Sequence, residues 1–150
     1  MTPPEVIDHL AHTLTEAEWH ATRAVIEVTA VTSGALMGSL HAIKRDFDLV
    51  GVTVVALCSG LGGGALRDVL INRPVLALQR EELLVAALCA CGTGMVLGHR
   101  VHHLQPIIWV VEAISLGLFT VTGIQRAEEV GLTVLPAIFL GVVTGTSGGL

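Results

Sequence analysis

Residues 59–68 read SGLGGGALRD and lie inside an apolar segment long enough to cross a bilayer. Gly62, Gly63 and Gly64 would each cost a helix interior roughly 1 kcal/mol relative to alanine, so the run marks a weakened or kinked helix. Arg67 and Asp68 follow at its far end, where an ionisable side chain in an apolar span is expensive and points to function. The pattern returns 85 residues later. Thr144, Gly145, Thr146, Ser147, Gly148, Gly149 and Leu150 stand at the positions equivalent to residues 59–65, and three of the four glycines recur in register. A fold for this chain must hold two equivalent weakened helices.

The chain of 150 residues is 52% hydrophobic and only 14% charged, with a mean hydropathy of +0.74. Several apolar runs after Ala24 approach the roughly 20 residues that span a bilayer as a helix. The expected class is therefore an all-α integral membrane protein that crosses the membrane several times. Its 17 glycines agree, because membrane helices use small residues where they touch. A net charge of −5 indicates neither nucleic acid nor a strongly charged partner. Cys58, Cys89 and Cys91 are odd in number and sit in apolar segments, which reads as small core residues rather than a disulfide framework. No secretory signal precedes the first span.

Residues 1–22 read as an amphipathic or flexible extension, with Val6, Ile7, Leu10 and Leu14 as an apolar stripe. Spans are expected over residues 24–43, 49–72, 83–98 and 107–123, the second broken at the glycine cluster, and a fifth from near Val130 through Pro136 to the end. Gly34 with Gly38 and Gly94 with Gly98 have the spacing of small-residue helix contacts. A shift of 85 also matches Glu27 with Glu112 and Gly38 with Gly123. A gapped alternative pairs Ser33 and Gly34 with Thr122 and Gly123. The repeat divides the chain into a first three-helix unit over residues 23–104 and an incomplete second unit over 105–150. An odd number of spans per unit makes the repeat inverted, as in transporters and pores whose solute path lies at the repeat interface. By the same count Arg23, Arg73, Arg80 and Arg126 share one membrane face and Lys44, Arg45 and Arg100 the other, too even a split to orient the chain.

A glycine-interrupted helix leaves carbonyl oxygens that are tolerated only beside protein or a wet cavity, where cations can use them. The rows Ala56, Gly60, Gly64 and Gly141, Gly145, Gly149 lie on single helix faces and are expected to cross at the centre. Ser59, Thr144, Thr146 and Ser147 would line such a path, with back-bonding to their own helices as the alternative use. Glu27, Glu112, Arg67 and Asp68 are the charged candidates, the two glutamates, one turn inside equivalent spans, being the expected partners for a cation or for the arginines. For Glu27 an i, i+4 pair with Arg23 is the simplest role, and Arg67 with Asp68 suits a helix end. His99, His102 and His103 have helical spacing but lack a carboxylate, so no metal is expected. Gly60, Gly62 and Ala65 fit a GxGxxA dinucleotide fingerprint, but their flanks are membrane-length rather than a βαβ unit. No nucleophile constellation is present, and neither a cofactor nor an enzyme is expected.

SGAL from Ser33, GVTVVALCSGLGGGALRDVL from Gly51, Pro74, GLFTVTGIQRA from Gly117 and GVVTGTSGG from Gly141 together resemble the prokaryotic trimeric intracellular cation (TRIC) channels. That family is also catalogued as UPF0126 or the glycine transporter domain. The resemblance implies two inverted three-helix repeats with a seventh helix, so five of seven spans here, in the plasma membrane of a prokaryote. It further implies a homotrimer with a pore for monovalent cations, potassium above all, in each protomer between kinked second and fifth helices. Membrane lipid and cations are then the partners. The hinges carried over are Gly62, Gly63 and Gly64 with Gly148 and Gly149; Ser147 replaces a glycine of the second triplet. The repeat predicts an arginine and an aspartate beyond Leu150, so the chain reads as truncated in its second repeat. A secondary carrier for a small solute such as glycine, and a close-packed membrane scaffold, are the alternatives.

Overall fold

The computed structural model describes residues 3–98 and 105–149, with the backbone alone for residues 3–20, 105–108 and 149. The stripe expected on Val6, Ile7, Leu10 and Leu14 and the histidines His99, His102 and His103 lie outside the described side chains. Six helices are present among the described residues: α1 (Pro3–Lys44), α2 (Leu49–Leu70), α3 (Leu76–Gln79), α4 (Glu81–Leu97), α5 (Gln105–Glu129) and α6 (Val134–Gly149). Five correspond to the expected spans, and α3 is a single turn between the second and third.

The helix ends follow from local chemistry. Pro3 and Pro4 occupy the first turn of α1, where no amide donor is needed. Asp46, at φ 57°, turns the chain after Lys44, and the Asp48 carboxylate caps α2 by accepting the Gly51 amide at 2.9 Å. Asn72, at φ 53°, and Pro74 stop α2. α5 runs to Glu129, beyond the expected end at Gly123. The turn that follows uses Gly131 at φ 71°, so α6 starts at Val134 rather than near Val130, with Pro136 in its first turn.

Glu27 meets Arg126 and Gly34 faces Phe119, so α1 and α5 are antiparallel. Ser59 meets Gly148 and Gly63 faces Thr144, so α2 and α6 are antiparallel as well. The two halves are therefore inverted. Their register is fixed by matching contacts. A Cβ on Gly38 would meet Ser59, Ala56 and the Val55 carbonyl, and one on Gly123 would meet Thr144, Gly141 and the Leu140 carbonyl. Gly60 likewise faces Ala35 and the Val31 carbonyl, and Gly145 faces Thr120 and the Leu116 carbonyl. Every partner is displaced by 85, which selects the ungapped repeat.

The expected break in the second span is absent: α2 is one α-helix through Gly62, Gly63 and Gly64. The physical reason is that each glycine's propensity cost is small beside that of leaving backbone groups unpaired in an apolar surround. The core is built of small residues that let backbones approach. Val31, Ala35, Leu83, Ala87 and Ala90 knit α1 to α4, where Gly94 abuts Ser39 and Gly98 abuts Ile43. Large apolar side chains such as Leu49, Val69, Val96, Leu135 and Phe139 point outward on the long helices. That coverage exceeds what a water-soluble monomer exposes and suits lipid.

Candidate functional site

The centre of the molecule is the crossing of α2 and α6. A Cβ on Gly63 would lie 2.5 Å from the Thr144 carbonyl oxygen and 3.0 Å from the Gly148 nitrogen. Ser59, buried, donates its hydroxyl to the Gly148 carbonyl at 3.1 Å and so joins the two halves. Phe119 of α5 closes the far side of Gly148. Gly62 and Gly64 are roomier, with nearest neighbours at 3.7 Å (the Ser147 carbonyl) and 3.9 Å (the Arg67 guanidinium).

Two expectations change. The rows Ala56, Gly60 and Gly141, Gly145 face the preceding helix of their own half, not each other. The crossing is made instead by Ser59 and Gly63 against Thr144 and Gly148, because these lie about 100° around each helix from the rows. The hydroxyls of Thr144, Thr146 and Ser147 are spent on carbonyls of their own helix, at 2.7, 2.9 and 2.6 Å, which leaves Ser59 as the one that reaches across. Gly149 ends α6.

Below the crossing lies a water-sized void of about 30 Å³, lined among others by Gly60, Gly64, Glu27, Asp68, Phe119 and Thr122. Its charged wall is tightly organised. Arg67 and Asp68 are both 3% exposed and pair at 2.8 Å, with a second hydrogen bond from Nε at 2.9 Å. The other Asp68 oxygen accepts the Leu76 amide at 2.8 Å, so the pair closes the α2 end as its position suggests and also fixes the start of α3. Among the described ion pairs the partner of Glu27 is not Arg23. Glu27 holds Arg126 at 3.1 Å and Arg80 at 3.6 Å, while Arg23 pairs with Glu129 and Arg126 reaches Glu129 at 3.0 Å. An adjoining cavity of about 100 Å³ is lined by Asp68, Arg73, Gln79, Arg126 and Glu129 among others.

Glu27 thus ties α1 to α5 and to the junction of α3 and α4 at Arg80. Arg80, Arg126, Glu129, Phe119 and Thr122 belong to this site, although sequence spacing does not single them out as site residues. The available signal was the grouping of Arg23, Arg73, Arg80 and Arg126 on one face, which the structure gathers around these cavities. Glu112, half-buried on α5 at the opposite end, is not part of this cluster.

The family model described as glycine transporter matches residues 24–99 and 109–150. A UPF0126 membrane protein of Deinococcus radiodurans is 31% identical over 126 residues, which is 83% of this chain and 59% of that protein. The fold is similar to that of the TRIC trimeric intracellular cation channel orthologue from Rhodobacter sphaeroides, with a TM-score of 0.79, 27% identity, and coverage of 85% of this chain and 66% of that one. It is similar too to a structure described as the basis for conductance through TRIC cation channels, with a TM-score of 0.74, 25% identity, and coverage of 84% and 62%. The chain thus spans about three fifths of the relatives it matches. On the residues matched and the fold shared, this multi-pass membrane protein belongs to the UPF0126, or glycine transporter domain, family, which the TRIC channel structures resemble in fold.

Proposed function

We propose that the chain forms most of a passive channel for monovalent cations, potassium foremost, assembled as a homotrimer and without enzymatic activity. The path runs within each protomer along the α2–α6 crossing, with Gly62, Gly63, Gly64, Gly148 and Gly149 as the region that moves. The observation that carries this reading is the crossing itself. Two inverted equivalent helices meet through Gly63 and Gly148 at the repeat interface, above a void whose wall holds Glu27 and Asp68. In inverted-repeat transport proteins that interface is where the solute passes. The described conformation is closed there, since Gly63 and Gly148 leave no gap. The named activity of the Rhodobacter relative supports the same class.

The test is planar-bilayer recording of the intact protein in potassium chloride. Unitary cation currents are expected, and their absence alongside saturable, ion-coupled uptake of labelled glycine overturns the reading. That carrier is the second reading, favoured by the family description; its alternating access would use the same crossing.

A further inference from the structure

Two pairs of residues fix where the halves of the repeat meet. A shift of 85 carries Gly63 to Gly148 and Gly34 to Phe119. In each pair the two equivalents face each other. A Cβ on Gly63 would lie 3.0 Å from the Gly148 nitrogen, and one on Gly34 would lie 3.0 Å from Cε2 of Phe119. Equivalent residues of an inverted repeat can meet only at the axis that relates its halves, so both contacts lie there. That axis is where inverted-repeat transport proteins hold their solute.

The two contacts differ in one respect. At the first, both halves contribute glycine; at the second, the glycine of α1 faces a phenyl ring from α5. A Cβ on Gly34 would already press on that ring, so the axis has space for one ring and not two. The same edge of the ring meets α6: a Cβ on Gly148 would come within 2.8 Å of Cε2, 2.9 Å of Cδ2 and 3.1 Å of Cζ. Glycines of α1 and α6 thus form its seat, and Phe119 also lines the void beside Gly60 and Gly64 of α2. It is 3% exposed. One apolar side chain therefore borders both the crossing and the void. The void, at about 30 Å³, has room for a water or two but not for a phenyl ring, so the ring stays in its seat while α2 and α6 are closed on each other.

We propose that Phe119 is the plug of the conduit, an apolar side chain that must leave the axis before a cation passes. A phenyl ring offers a cation no oxygen in place of its water, and apolar constrictions gate by dewetting. Parting of α2 and α6 frees the ring, which couples movement at the glycine crossing to wetting of the path. The assignment rests on the channel reading above and names the side chain that closes it.

Single-channel recording and thiol chemistry on the intact protein test it. Phe119→Ala raises the open probability roughly tenfold or more, because truncating a buried ring weakens only the state that packs it. Phe119→Leu, which keeps most of the bulk and so secures folding, raises it less. A ring that serves packing alone lowers the melting temperature in both variants and leaves the open probability unchanged. Independently, Phe119→Cys is combined with Cys58→Ala, Cys89→Ala and Cys91→Ala, reconstituted in vesicles in potassium nitrate and exposed to silver nitrate, silver being a thiol-reactive cation near potassium in size. The thiol reacts, read after unfolding as loss of maleimide labelling, whereas one in a dry core stays unmodified. Wild-type currents with an unaltered open probability in both Phe119→Ala and Phe119→Leu, and a thiol that silver does not reach, overturn the inference and leave the channel reading intact. Silver at the thiol in a protein that passes no current keeps the ring on a wet path and sinks the channel reading.

Discussion

Gly63→Ala isolates the contact on which the α2–α6 crossing depends. The added methyl would sit 2.5 Å from the Thr144 carbonyl oxygen, 3.0 Å from the Gly148 nitrogen and 3.1 Å from its Cα. All three are backbone atoms, so no side chain can swing away. Restoring an ordinary contact requires α2 and α6 to part by about 0.9 Å, which would also stretch the Ser59–Gly148 hydrogen bond. Such overpacking costs about 1–3 kcal/mol. The helix-propensity gain from replacing glycine, roughly 1 kcal/mol, opposes it. Gly62→Ala provides the control, because its nearest neighbour is 3.7 Å away and the propensity gain is the same. The difference between the two variants is then the overpacking penalty alone. In thermal unfolding followed by circular dichroism in micelles, Gly63→Ala should melt about 3–10 °C below Gly62→Ala, taking a few degrees per kcal/mol for a chain of this size. Equal melting temperatures would refute the close crossing.

Other perturbations probe the charged wall and the cross-helix bond. Arg67→Met strands the buried Asp68 carboxylate with only the Leu76 amide, and should cost about 3 kcal/mol of stability in the same melt. Adding Asp68→Asn, which removes the stranded charge, should recover more than half of that loss. A double-mutant cycle on Glu27 and Arg126, with glutamine at both, should return a coupling of about 1 kcal/mol or less, because the Arg126 side chain is 28% exposed. A coupling several times larger would mean that the cluster is drier than its exposure indicates. Ser59→Ala removes the one described side-chain hydrogen bond between α2 and α6 and should cost about 1 kcal/mol. Parallel loss of protection at the Gly148 region in hydrogen exchange would locate the effect.

The fold class, the repeat and the inverted sense were legible because apolar length and a fixed offset survive in one dimension. The gapped and ungapped alignments are equivalent in one dimension, and the equivalent partners of Gly38 and Gly123 separate them. Which glycine does what was also hidden. Residues four apart lie on one face, and that made Gly60 and Gly145 attractive as the crossing, but spacing says nothing about which neighbour a face meets. The pairing of Glu27 departs from its local expectation for a related reason. Arg23 is near in sequence, whereas Arg80 and Arg126 arrive from the starts and ends of other helices. Sequence proximity predicts only the local partner, and at a bundle end the charges of several helices converge.

The glycine triplet is better understood as three positions with three surroundings than as one weak spot. Gly63 has no room at all, Gly62 has room facing Ser147, and Gly64 opens onto the void beside Arg67. Gly92 and Gly117, by contrast, have nothing within 4 Å, so glycine in this chain is no sign of close approach by itself. Because α2 stays helical throughout, separating it from α6 need not expose a row of carbonyls; among the described residues it breaks one side-chain hydrogen bond, from Ser59 to Gly148. Close backbone approach at Gly63 and Gly148 with one described side-chain hydrogen bond makes a crossing that is tight but has few polar links to break. A path that opens by modest displacement of two intact helices therefore demands far less free energy than one that opens by melting either of them.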